Sequence, residues 1–153
     1  MIFQLDKATE FPDPRYGNED GFYAVGGEVT AEMLIKAYPM GIFPYFAFRE
    51  EPIIWWAPQK RFVIFSNEVH VSHSMRNLIN KRRYRCTVNQ AFPDVIAGCA
   101  CTDQRIEEYN AWLGPDLIDT WMDLNEEGYA KSVEVWDGDT LVGGLYGFVC
   151  GRA

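Results

Sequence analysis

Few residues in this chain are of a type that does covalent chemistry, and their spacing argues against most of it. Ser72, His73 and Ser74 are consecutive. Neighbours on a helix do not face one another, so this triplet is not expected to form a Ser–His dyad. The cysteines stand at 86, 99, 101 and 150. Cys99 and Cys101 are spaced C-x-C, not the C-x-x-C of redox and zinc sites. With only His70 and His73 to help, a closed metal site is not expected, and four mostly buried thiols are. Glu134 is an acid on an otherwise apolar strand, and its expected position is outward, toward solvent. No nucleophile–base pair emerges.

Residues suited to binding are more evident. Lys60, Arg61, Arg76, Lys81, Arg82, Arg83 and Arg85 share residues 60–85 with one acid, Glu68. That segment is +6 inside a chain of net charge −8, which leaves −14 for the rest. Overall acidity argues against broad polyanion binding, whereas one concentrated basic stretch suits a local phosphate site or a solvated run. Phe43, Tyr45, Phe46, Trp55 and Trp56 cluster around Pro44. Most are expected in the core, but a rigid aromatic on a turn is also what a base-stacking platform needs. Trp112 precedes Gly114-Pro115, where it suits a contact at a helix entry. Gly143 and Gly144 permit close backbone approach or a β-bulge.

The elements that must position these residues follow from period and punctuation. Residues 6–21, rich in Pro, Asp, Glu and Gly, read as loop. Thr30 caps a short helix with Met33, Leu34, Ala37 and Tyr38 on its apolar side, ended by Pro39 and Gly41. GIFPYF reads as a rigid turn, and PIIWWAP and RFVIFS as strands. Ser72 opens a second helix with Met75, Leu78 and Ile79 on one face. Residues 84–88 read as a strand, and Asn89 caps a helix carrying Phe92, Val95, Ile96 and Cys99. Pro115 opens a helix with Leu117, Ile118, Trp121 and Leu124, stopped at Gly128. SVEVW, the turn DGD and TLVGGLYGFV form a hairpin.

At 153 residues the chain suits one domain or two small ones sharing a core. Apolar residues make up 48% and aromatic residues 15%, so a packed core is expected. The N-terminus lacks the basic region of a signal peptide, and no run approaches a membrane span. A soluble cytoplasmic protein with no membrane partner is the expectation.

One stretch combines these features most densely: YAVGGEVTAEMLIKAYPMGIFPYFAFREEPIIWWAP, residues 23–58. Further blocks follow as VSHSM (71–75), YRCTVNQAF (84–92) with VIAGCA (95–100), SVEVW (132–136) and LVGGLYG (141–147). Their order and spacing closely resemble bacterial leucyl/phenylalanyl-tRNA–protein transferases over essentially the whole chain.

The resemblance implies an α+β fold. A small N-terminal α/β domain (1–60), with the aromatic cluster, precedes an incomplete N-acetyltransferase-like aminoacyl-transfer domain (61–153). It implies transfer of Leu or Phe from aminoacyl-tRNA to proteins beginning with Lys or Arg, marking them for degradation in the N-degron pathway. No cofactor is implied. Aminoacyl-tRNA binding falls to Tyr45 and Trp112, as base-stacking aromatics, and to Arg76, Lys81, Arg82 and Arg83, as phosphate contacts. Gly144 and Leu145 fall in the aminoacyl pocket. The family's catalytic carboxylates match no position here and are expected beyond residue 153. The chain alone is therefore expected to be inactive and to self-associate through residues 140–149. The alternatives are an acyl-coenzyme A-dependent N-acyltransferase and a non-catalytic RNA-binding module.

Overall fold

A computed structural model describes residues 2–6, 10–45, 52–100 and 113–151. Among the described residues, seven strands form two sheets, and four α-helices accompany them. In the first, β1 (Phe3–Leu5) runs parallel to β2 (Phe22–Gly26). β2 pairs antiparallel with β4 (Ile54–Trp56), which pairs with β3 (Phe43–Pro44). The second is antiparallel, in the order β5 (Arg85–Val88), β6 (Ala130–Asp137) and β7 (Thr140–Phe148). The expected mixture of helix and sheet is therefore present. β1 and β2 lie where no strand was expected, because Phe3–Leu5 is too short to set a period and FYAVG shows no apolar–polar alternation.

Pro44 is at a strand edge, not in a free turn. β3 is the last strand of its sheet, where a residue without an N–H costs no ladder bond. Residues 61–66 form no strand, against expectation. These residues pair with neither edge of the first sheet, and a strand composition forms no ladder without a partner. Phe62 is 92% exposed.

Helix α1 (Ala31–Ala37) begins where the sequence predicts, with Thr30 Oγ1 accepting from the Met33 amide at 3.3 Å. Helix α2 (His73–Asn80) is likewise capped by Ser72, and its Met75, Leu78 and Ile79 lie exposed. Helix α4 (Pro115–Glu126) starts on Pro115, and Gly128 just beyond it has a φ of +87°. Helix α3 (Phe92–Ala100) is not capped by Asn89. Asn89 adopts a left-handed φ of 54°, and its side-chain Oδ1 accepts from Asn125 Nδ2 at 2.6 Å and from the Ser132 amide.

One buried cluster joins the first sheet to the helices that back the second. Leu5, Tyr23, Ala24, Leu34, Ile42 and Trp55 pack continuously with Phe92, Ile96, Leu117, Trp121, Leu124 and Ala130. Two polar groups at this junction are satisfied: Trp55 Nε1 donates to Gly26 O (2.9 Å), and Thr120 Oγ1 to Val29 O (3.1 Å). The thiols are less buried than expected. Cys86 and Cys150 are exposed and Cys99 is half-buried, none in a disulfide, while Cys101 lies outside the described residues.

Candidate functional site

The end of α1, strand β3, helices α3 and α4, and strand β7 meet around an aromatic pocket of about 420 Å³. Its lining is Tyr38, Phe43, Pro44, Tyr45, Cys99, Trp121 and Tyr146. Each wall is fixed by its neighbours. Tyr146 lies edge-on to Trp121, with centroids 4.9 Å apart at 80°, and Tyr38 leans on Trp121 and Phe148. The Trp121 Nε1 donor is buried and has no acceptor among the described residues. Burial, reinforced by the neighbouring Tyr146, pushes the Tyr38 hydroxyl well above its ordinary pKa, so it is neutral at physiological pH. Tyr45 is held by its backbone, whose N–H donates to Ile54 O (3.0 Å) and whose carbonyl accepts from Trp56 Nε1 (3.3 Å). Its ring is 53% exposed at the pocket rim.

A second recess of about 390 Å³ runs between α3 and β7, lined by Asp94, Val95, Gly98, Cys99 and Leu141–Gly144. Cys99 is common to both cavities, so α3 is the partition between them. β7 carries one extra residue here, Val142, between the Trp136–Leu141 and Val135–Gly143 pairs. At Gly144 a Cβ would sit 2.8 Å from a Val95 methyl, and its place is taken by α3 itself. Gly143 and Gly98 border open space.

The aromatic and glycine candidates thus meet at one partition, and others stand apart. Leu145 is 62% exposed, on the strand face opposite Tyr146, and lines neither cavity. Trp112 lies outside the described residues, as does Phe46. Arg76 is on α2, Lys81 is its C-cap, and Arg82 follows in a left-handed conformation with φ of 50°. All three are exposed and make no ion pair among the described residues. Arg83 is committed to Asp137 at 2.8 Å, and Arg85 lies over the Trp136 ring. Arg61, at the start of the basic stretch, donates to the carbonyls of Gly41 and Pro58.

Glu134 corrects its sequence reading most sharply. It is fully buried, not outward. Ser132 Oγ and Thr87 Oγ1 each donate to its carboxylate at 2.5 Å, and the amides of Gln90 and Ala91 donate at 3.2 and 3.3 Å. Burial opposes its charge, but these hydrogen bonds outweigh burial and hold its pKa below the ordinary carboxylate value. A signal was available. Glu134 shares strand parity with Ala130 and Ser132, and Ala130 is plainly a core residue type.

Residues 63–153 match the model for leucyl/phenylalanyl-tRNA protein transferase, and residues 27–59 match the model for its N-terminal domain. The chain belongs to the leucyl/phenylalanyl-tRNA–protein transferase family. Curated members similar to it include proteins of that name from Flavobacterium psychrophilum, Anaeromyxobacter sp. and Pectobacterium atrosepticum. The first is 43% identical over 94% of this chain and 67% of its own length. The second is 41% identical and the third 42%, each over 99% of this chain and 64% of its own length. The chain thus spans about two thirds of the length of these transferases. Among its described residues no helix is long and apolar enough to cross a membrane, and no group of His, Cys, Asp or Glu could hold a metal ion.

Proposed function

We propose that this chain serves an aminoacyltransferase that moves Leu or Phe from aminoacyl-tRNA to the N-terminal Lys or Arg of a protein, marking it for degradation in the cytoplasm. In this reading the substrate's own α-amine attacks the ester carbonyl. The new C–N bond forms as the ester C–O bond breaks, and a proton passes from the amine to the departing 3′ oxygen of the tRNA. The ester is already activated, so the protein's task is orientation and desolvation, and no cofactor is needed. No catalytic side chain is assigned among the described residues.

The observation that carries the reading is the pairing of an aromatic pocket with an apolar recess across one helix, in a chain of this family. A terminal adenosine needs a stacking wall, which Tyr45 supplies at the rim and Trp112 would complete. A Leu or Phe side chain needs an apolar recess, which Gly144 borders on β7. Leu145, exposed on the opposite face of β7, is left outside this recess. Arg76, Lys81 and Arg82 present charge for tRNA phosphates without reading sequence, with Arg83 shared between phosphate and Asp137. The division near residue 60 and the N-acetyltransferase-like reading of the second part belong to this proposal. Two family models meeting at 59 and 63, and helices packed on one face of an antiparallel sheet, support them.

The test is transfer of radiolabelled Leu from Leu-tRNA to a peptide beginning with Arg, alongside binding of charged and uncharged tRNA. Binding that prefers the charged form is the expected result. Acetylation of the peptide from acetyl-coenzyme A would instead favour the small-molecule acyltransferase. Equal affinity for both tRNA forms without transfer would favour an RNA-binding module.

A further inference from the structure

Helix α3 separates the two cavities, so its placement sets the shape of both. Besides the Phe92–Tyr146 ring contact, two specific contacts hold it to the β6–β7 hairpin. The Glu134 carboxylate on β6 accepts the amides of Gln90 and Ala91, immediately ahead of the helix. One turn later, Val95 fills the space where a Cβ on Gly144 would lie. Glu134 and Gly144 are themselves directly opposed across the β6–β7 ladder. Cys99, the shared wall, follows one turn after Val95. A buried carboxylate is costly unless fully hydrogen-bonded, and this one has four donors and no cation among the described residues. Apolar packing alone would hold the helix to the sheet, but the carboxylate adds a direction and a fixed distance to its first turn.

We propose that Glu134 is a positioning residue that pins the start of α3 to the hairpin and so fixes the partition between the aromatic pocket and the β7 recess. The inference rests on the reading of those cavities as the seat of an aminoacylated tRNA end. The carboxylate touches no reacting atom. It acts through α3, holding Cys99 and Val95 where the base and the aminoacyl group are received on either side.

The chemistry of the pin distinguishes two substitutions. Glu134→Gln keeps an oxygen for Ser132, Gln90 and Ala91. It reverses only the bond to Thr87, whose hydroxyl already accepts from Trp136 Nε1 at 2.8 Å. Glu134→Ala removes all four acceptor contacts. For Glu134→Ala, amides of α3 should exchange with solvent about tenfold faster relative to those of α4. Preference for Leu-tRNA over uncharged tRNA should fall about tenfold, with affinity for uncharged tRNA within about twofold of wild type. Glu134→Gln should recover most of both.

A faster-exchanging α3 with the preference intact would overturn the proposal, as would equal loss of affinity for both tRNA forms. If Glu134→Ala does not fold, Ser132→Ala and Thr87→Ala each remove one hydroxyl donor. They must then show smaller shifts in the same ratio, and unchanged ratios overturn the proposal. A wild-type protein with no preference for charged tRNA would sink the functional reading instead. The α3 exchange rates then decide separately whether the pin holds the helix, and unchanged rates sink the pin as well.

Discussion

The two sheets handle their inward faces in opposite ways. In the first, β4 turns Trp55 into the core and β2 adds Tyr23 and Ala24, all fully buried. In the second, β6 turns Ser132 and Glu134 inward, while Val133 and Val135 lie on the other face beside Leu145 and Val88 of the flanking strands. The usual alternation of apolar-in and polar-out is reversed at the middle of β6. The first sheet is held by burial, which is strong but tolerant of small shifts. The second is held in part by directional hydrogen bonds, which fix α3 to within a bond length. The less forgiving device stands next to the proposed site.

The largest effect that would break this contrast is at the first sheet. Trp55→Ala should cost about 3–5 kcal/mol in denaturant unfolding, as loss of a large core side chain does. A cost under about 1 kcal/mol would mean that the first sheet is not held by burial. Gly144→Ala comes next. Its methyl would collide with Val95, so overpacking should cost about 1–3 kcal/mol. Combined with Val95→Ala the losses should be less than additive, and strict additivity in a double-mutant cycle would show that the two sites do not meet.

A pH titration sharpens the comparison further. The folded-state pKa of Glu134 lies below its ordinary value of 4.5, so its contribution is present above that value and is lost as pH falls through the folded value. Glu134→Gln should therefore show a flatter loss of stability than wild type below about pH 4.5. An unchanged acid limb would mean that the hydrogen bonds seen here do not favour the ionised form. The smallest effect is expected on the outer face. Leu145→Lys should change stability by no more than about 0.5 kcal/mol, as exposed substitutions do. A larger loss would show that this face is covered in solution.

Local signals reached most of the helices and little of the site. Thr30, Ser72 and Pro115 marked helix starts because a cap acts within three residues. Asn89 misled for the same reason, since the acceptor ahead of α3 comes from Glu134, over forty residues away. RFVIFS carried the composition of a strand, but strands need a partner edge that no local window contains. Tyr45 and Gly144 could be singled out by residue type. That they face one helix from opposite sides could not, because Tyr38, Trp121 and Tyr146 enter the pocket from three separate elements. The basic stretch was legible as charge, whereas the engagement of Arg83 by Asp137 depended on how β5 and β6 pair.

The continuous core also sets the order of events at the ribosome. Leu5 packs in the cluster that Leu124 and Ala130 complete. At about 5–20 residues per second, synthesis takes on the order of ten seconds to run from the first to the last. Through that interval Phe11, Tyr23 and Trp55 have emerged without the helices that cover them. Burial of these early apolar side chains therefore waits on the last helix and strand of the cluster to leave the ribosome.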